Sequence, residues 1–267
     1  EMHAAALERL TLEAELRRAL DAEELIVHYQ PIVALPSGRP WGVEALVRWQ
    51  HTLRGLLTPD AFLPTAEEAG LVDRIDRRAL ALACMQAQEW RTSGPELADL
   101  VLTVNVSAAQ LVDGGIVDHV HAVLAATGLD PTALVLEITE RAMMHDTDAV
   151  VANLVGLKAL GVRVALDDFG TGYSSLAYLQ RFSIDILKVD RSFIDTLDGD
   201  SGSSALAHAI VDLAQTLELS PVAEGVERPE QRDRLIERGC ALAQGHLFAR
   251  PQDGPATAAF LRRHARQ

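Results

Sequence analysis

The sequence predicts an α/β fold, a (β/α)8 TIM-like barrel with one antiparallel strand near the start. Three observations carry this. Eight short apolar runs alternate with helical patterns along 267 residues, a length such barrels occupy as a single unit. The first two runs are joined only by residues 35–42, rich in Pro, Gly and Ser and too short for a helical crossover. Nearly every run also ends on a polar residue, which a strand tip in an apolar core tolerates only with a partner. A doubly wound open sheet is the alternative architecture.

In order, residues 5–20 set Leu12, Leu16 and Leu20 at helical spacing among Glu and Arg, an amphipathic helix. With Glu1 rather than Met opening the chain, residues 1–22 read as a linker helix from an upstream sensory or signalling domain, ahead of a barrel spanning 23–267. Strands are expected at 25–33, 42–48, 100–105, 133–137, 163–167, 185–188, 220–223 and 241–243. Thr65-Ala-Glu-Glu68 fits a capping box, with Thr58-Pro59 opening the turn before it. Gly128, Gly161 and Gly239 each follow a helical pattern where a left-handed C-cap is expected.

Composition narrows the function. No apolar run approaches the ~18 residues that span a bilayer, and residues 1–24 are charged, unlike a signal peptide, so a cytoplasmic domain without membrane contact is expected. Cys84 and Cys240 lack a Cys or His partner at metal-ligand spacing and read as core thiols. A net charge of −14 argues against a DNA binder, which needs a basic face. Of 24 basic residues only Lys158 and Lys188 are lysine. Lys158 is expected to be solvated; Lys188 ends the apolar run from Ile184, where a point-like ammonium is called for.

The strand-end residues are Glu44, Asn105, Glu137, Asp167, Lys188, Glu224 and Gln244. In a barrel such ends converge on one mouth. Four oxygen donors (Glu44, Asn105, Glu137, Asp167) without His or Cys describe a hard-cation site for Mg²⁺ or Mn²⁺. Asp168, directly after Asp167 and before Gly170 and Gly172, is placed to serve a second cation. Two such ions suit phosphodiester hydrolysis, with Lys188 and Glu224 positioning and deprotonating the water.

The ordered motifs Tyr29-Gln-Pro-Ile32, Glu44-Ala-Leu-Val-Arg48, Asn105-Val-Ser107, Glu137-Ile-Thr-Glu140, Asp167-Asp-Phe-Gly-Thr-Gly-Tyr-Ser-Ser175, Lys188-Val-Asp190, Ala223-Glu-Gly-Val-Glu227 and Gln244-Gly245 resemble the EAL family of cyclic di-GMP phosphodiesterases, over residues 25–251. The resemblance implies two cations per active site and hydrolysis of cyclic di-GMP to linear pGpG. It makes Glu44, Asn105, Glu137, Asp167 and Asp168 metal ligands, with Glu44 also counted among the catalytic groups beside Lys188 and Glu224. Gln30, Arg48, Asp190 and Gln244 become substrate-binding positions, and Glu140 and Glu227 brace the loop after Asp168. It further implies a homodimer, in which relative motion of the protomers orders or disorders residues 169–175 and changes metal occupancy at Asp168. One departure is His246, where a tyrosine is common. A catalytically silent cyclic di-GMP receptor is the alternative function, and a Mg²⁺-dependent aldolase or enolase-type barrel a more distant one. Other residues are set aside: His119 and His121 do not share a helix face, Met143-Met144-His145 is not read as a soft-metal site, and Trp41, Trp49 and Trp90 are read as packing residues.

Overall fold

The computed structural model describes residues 2–112, 115–143, 148–170, 182–197 and 202–265. The apolar runs form strands β1 (Leu25–Ala34), β2 (Arg39–His51), β3 (Gly55–Leu57), β4 (Val101–Val106), β5 (Leu134–Thr139), β6 (Arg163–Phe169), β7 (Ile186–Val189), β8 (Ser220–Ala223) and β9 (Leu242–Gln244). Helices α1 (Met2–Asp21), α2 (Pro59–Glu68), α3 (Val72–Thr92), α4 (Ala108–Val112), α5 (Ile116–Thr127), α6 (Glu140–Met143) and α7 (Asp148–Ala159) precede β6. Helices α8 (Arg191–Ile194), α9 (Gly202–Thr216), α10 (Pro229–Glu237) and α11 (Gly254–Ala265) follow β7. Among the described residues no helix is long and apolar enough to cross a membrane.

The sheet runs β1-β9-β8-β7-β6-β5-β4-β2, and a further β1–β2 pairing closes it into an eight-stranded barrel. β1 is antiparallel to both neighbours, as the short 35–42 connection requires, while β2 and β4 to β9 pair in parallel. β3, absent from the expected list, pairs with the far end of β2 outside the closed ring. It is too short to carry a periodicity signal.

Period-two alternation puts one set of side chains inside the ring. Ile32, Val101, Val135, Ala165, Ile186, Val222 and Leu242 form an apolar layer there. Two residues further toward the mouth from Val135, Ala165, Ile186, Val222 and Leu242 stand Glu137, Asp167, Lys188, Glu224 and Gln244. The same alternation that builds the core therefore aims every one of these polar groups at the mouth. The outer faces of the strands pack on the helices in the main core, which holds both free cysteines, buried as expected.

Three sequence expectations are corrected. Thr65 is not an N-cap: α2 starts at Pro59 after the extended Thr58 and runs through Thr65, because Phe62 and Ala66 anchor that whole face in the core. Lys158 is not simply solvated, for its Nζ lies 2.6 Å and 2.7 Å from the Asp185 carboxylate oxygens. Glu44 is not at a strand end, since β2 continues to His51 to pair with β3. The C-cap expectation fits, with positive φ at Gly128, Gly161 and Gly239.

Helix α1 packs on the barrel. Leu12, Leu16 and Ala19 are buried in a second core with Trp49, Phe62, Ala66 and Ile75. Around it Glu15 Oε2 meets His51 Nε2 at 3.1 Å, and the Trp49 indole N–H donates to Glu24 Oε2 at 3.0 Å. Leu16 is fully buried, so Leu16→Ala is expected to destabilise the domain by about 2–5 kcal/mol. Urea unfolding followed by Trp fluorescence checks it; a midpoint unchanged from wild type would mean α1 contributes nothing to the fold.

Candidate active site

At the centre of the mouth stands Lys188, its side chain 2% exposed. Its Nζ lies 2.6 Å from Glu224 Oε1, 2.7 Å from Glu137 Oε2, 3.4 Å from Asp167 Oδ1 and 3.9 Å from Glu44 Oε2. Asn105 Nδ2 donates to Glu44 Oε1 at 2.9 Å, which turns the Asn105 carbonyl oxygen elsewhere. Gln244 Nε2 donates to both Gln30 Oε1, at 2.9 Å, and Glu44 Oε2. Gln30 in turn donates to the Ala249 carbonyl at 3.1 Å. Gln30 is placed opposite Glu44 by the β1–β2 register, and Leu46 and Arg48 follow Glu44 on the same face of β2. Arg48 is buried, its Nη1 donating to the Val47 carbonyl at 2.8 Å.

Asp168 sits just outside this cluster in a left-handed conformation, φ +56°, with its backbone N–H donating to Asp167 Oδ1 at 2.9 Å. Strain of this kind in a non-glycine residue collects at functional sites. The Asp168 carboxyl is near enough to Asp167 and Lys188 for both to act on its charge. Asp190 caps α8, its Oδ1 accepting from the Ser192 N–H at 3.0 Å. Glu140 Oε2 accepts from the Gly170 N–H at 3.4 Å, a contact to the first part of the loop after Asp168. Residues 171–175 of that loop, and Met144 and His145, lie outside the described residues. Among the described residues Glu227 is paired with Arg191 (3.0 Å) and His246 (3.4 Å).

Trp49 turns away from the mouth into the α1 core. Two residues carry no strand-end signal in the sequence: Arg191, which lines the mouth cavity, and His28, opposite the lining residue Leu46 in the β1–β2 register. Neither stands at the end of an apolar run, so the signal that found the others is missing. This open cavity of about 270 Å³ is lined by Gln30, Glu44, Asp167, Lys188, Glu224 and Gln244, among others.

The electrostatics are lopsided. Burial works against the Lys188 ammonium, but Glu137, Glu224, Glu44 and Asp167 outweigh it and hold the lysine charged, well above its ordinary range. Burial also pushes Glu44 up, and Lys188 with the Gln244 and Asn105 amides overcomes it, leaving Glu44 below its usual value. Glu137 lacks those amides, so burial lifts it well above the carboxylate range despite Lys188. Burial raises Glu224 to about 8 and, with the Asp167 charge, raises Asp168. A raised carboxyl means the folded chain keeps a proton that the unfolded chain releases above 4.5, so metal-free stability falls as pH rises toward 8. Thermal denaturation in EDTA is expected to give a lower Tm at pH 8 than at pH 6; the reverse order would show these groups to be compensated already.

The family model described as EAL domain matches residues 13–251. The chain belongs to the EAL domain family. Its α1 residues from position 13 are thus inside the family's own boundaries. The bifunctional diguanylate cyclase/cyclic di-GMP phosphodiesterase MucR of Pseudomonas aeruginosa is 47% identical over 94% of this chain and 36% of its own length. The cyclic di-GMP phosphodiesterase NbdA of the same species is 45% identical over 96% of this chain and 33% of its own. The chain thus spans about a third of the length of these curated relatives. Among solved structures, the PaMucR phosphodiesterase in complex with c-di-GMP superposes with a TM-score of 0.88 at 45% identity, covering 92% of this chain and 99% of that one. The EAL barrel expected from the sequence is the fold observed.

Proposed function

We propose that this EAL domain hydrolyses one phosphodiester bond of cyclic di-GMP to give linear pGpG, using two Mg²⁺ or Mn²⁺ ions held at the barrel mouth. The observation that carries the reading is the gathering of Glu44, Glu137, Asp167 and Glu224 around Lys188, with Asp168 beside them. Relatives named as cyclic di-GMP phosphodiesterases support the substrate.

The donor set fits the ions. With all five carboxylates ionised, as bound cations would leave them, the excess over one ammonium is four negative charges, the charge that two divalent cations neutralise. Among the described residues no three His, Cys, Asp or Glu side chains stand ready-made around one ion position, and Lys188 Nζ lies within 2.7 Å of both Glu137 and Glu224. All the donors are oxygens, as hard cations require. Glu44, Asn105, Glu137 and Asp167 would hold one ion, and Asp168 with Asp167 the other. Such ions, when bound, polarise the phosphate and lower the pKa of an attacking water.

The chain's own groups do the rest. Gln244 and Asn105 fix both oxygens of Glu44, and Gln30 extends that row toward the substrate. Lys188 aims Glu224 across 2.6 Å. Ionised Glu224 takes the proton of the attacking water, whose oxygen bonds to phosphorus as one P–O ester bond breaks and the departing ribose oxygen takes up a proton. Arg48, with Gln30 and Asp190, contacts the nucleotide, the arginine pairing with a phosphate.

Incubation with cyclic di-GMP and Mg²⁺, followed by separation of nucleotides, is expected to yield the linear dinucleotide. Tight binding with no product would instead make the domain a receptor. Activity is expected with Mg²⁺ or Mn²⁺, lost in EDTA and inhibited by Ca²⁺, whose larger and looser shell misplaces the water. Equal turnover in Ca²⁺ would sink the two-ion geometry. A homodimer and an upstream sensory domain complete the proposal. Light scattering across dilution with parallel assays tests the dimer, and a monomer fully active at every concentration would rule it out.

A further inference from the structure

One side of the mouth carries polar groups for which the hydrolysis has no task. Arg191, at the start of α8, and Glu227 and His246, in the segments after β8 and β9, line the same cavity as Glu44 and Asp167. Arg191 Nη2 lies 3.0 Å from Glu227 Oε1, and its Nε donates to Asp195 Oδ2 at 3.2 Å. His246 Nδ1 approaches the same Glu227 oxygen at 3.4 Å. The stem of Arg191 rests where Gly225 lacks a side chain: a Cβ there would fall 2.4 Å from Arg191 Cγ, at a backbone φ of +67°. The guanidinium is thus held from two sides and seated from below, although half of the side chain is exposed. Among the described residues its Nη1 has no partner.

A phosphate clamp needs charge, and here Glu227 and Asp195 already counter the charge. What the group retains is direction: a planar fork with free N–H donors. That suits a flat ring edge with two adjacent acceptors. Guanine presents such an edge in O6 and N7, whereas adenine places an amino donor beside N7 that opposes a guanidinium.

We propose that Arg191 reads a guanine edge of the bound cyclic dinucleotide and so selects guanine over adenine, with Glu227 and the bare Gly225 backbone holding its fork in place. The proposal rests on the cyclic di-GMP reading above. The test compares wild type, Arg191→Lys and Arg191→Ala, titrated calorimetrically with cyclic di-GMP and with cyclic di-AMP in Ca²⁺, alongside steady-state hydrolysis in Mg²⁺. Both variants are expected to bind cyclic di-GMP about tenfold more weakly and to lose most of the preference over cyclic di-AMP, a loss typical of one bidentate base contact. The effect is expected in KM more than in kcat. Wild-type binding of cyclic di-GMP tests the functional reading; the contrast between proteins tests this one. A lysine variant with wild-type affinity and preference would show that a bare charge suffices, and an unchanged alanine variant that the residue does not touch the base. Either result overturns the proposal.

Discussion

Lys188→Ala is expected to lower hydrolysis by at least ~10³-fold, because in the proposed mechanism one residue both steadies Glu224 and compensates its neighbours. In wild type the ammonium lies within 2.7 Å of Glu137 and Glu224. Its loss leaves both buried acids facing each other and removes the cation closest to them among the described residues. The metal-free variant is expected to melt at a lower temperature, since removing one partner of a buried ion pair costs about 3–5 kcal/mol unless the survivors protonate. Added Mg²⁺ is expected to recover much of the melting temperature and none of the activity. Turnover near wild type would show that Lys188 is a packing cation and that the water is positioned elsewhere.

Glu44→Gln has a comparable effect for a different reason. Each Glu44 oxygen accepts from an amide N–H₂: Oε1 from Asn105 and Oε2 from Gln244. A glutamine in its place must point its own N–H₂ at one of them, setting donor against donor in a buried site. One oxygen proposed to hold a cation is lost, and either the Asn105 or the Gln244 amide must turn over or move away. A fall in kcat of at least ~10²-fold is expected, with weaker Mn²⁺ binding by calorimetry and an unchanged far-UV circular dichroism spectrum. Unaltered Mn²⁺ affinity would remove Glu44 from the ligand set.

The polar strand ends were visible in the sequence because they broke apolar runs, and the barrel follows from the same runs. Lys188 could be marked as unusual by its place after Ile184-Asp-Ile-Leu187, but not as a group bonded to two acids. That depends on lateral register, such as Glu137 beside Ala165 and Lys188 beside Val222, which no one-dimensional pattern carries. Helix α1 was read correctly as amphipathic. Which surface it covers was hidden, because Trp49, Phe62 and Ile75 come from three different elements. Thr65 misled because the local capping signal is identical whether or not tertiary packing extends the helix upstream. Arg191 carries no sequence signal because its seat depends on what Gly225 lacks.

Ring closure has a consequence for how the domain is made. β9 meets β1 over three residue pairs only, Ile32 to Ala34 against Gln244 to Leu242. The Gln244–Gln30 hydrogen bond beside that seam joins residues 214 positions apart. The β1–β2 hairpin is local and can form early, whereas this seam is among the most non-local contacts in the chain and carries the entropy of a nearly full-length loop. Emerging from a ribosome, the polypeptide has Glu44, Glu137 and Lys188 in hand long before Gln244 exists to lock the first of them. The proposed active site is therefore completed last, as a report that the final strand has been inserted and the circle is shut.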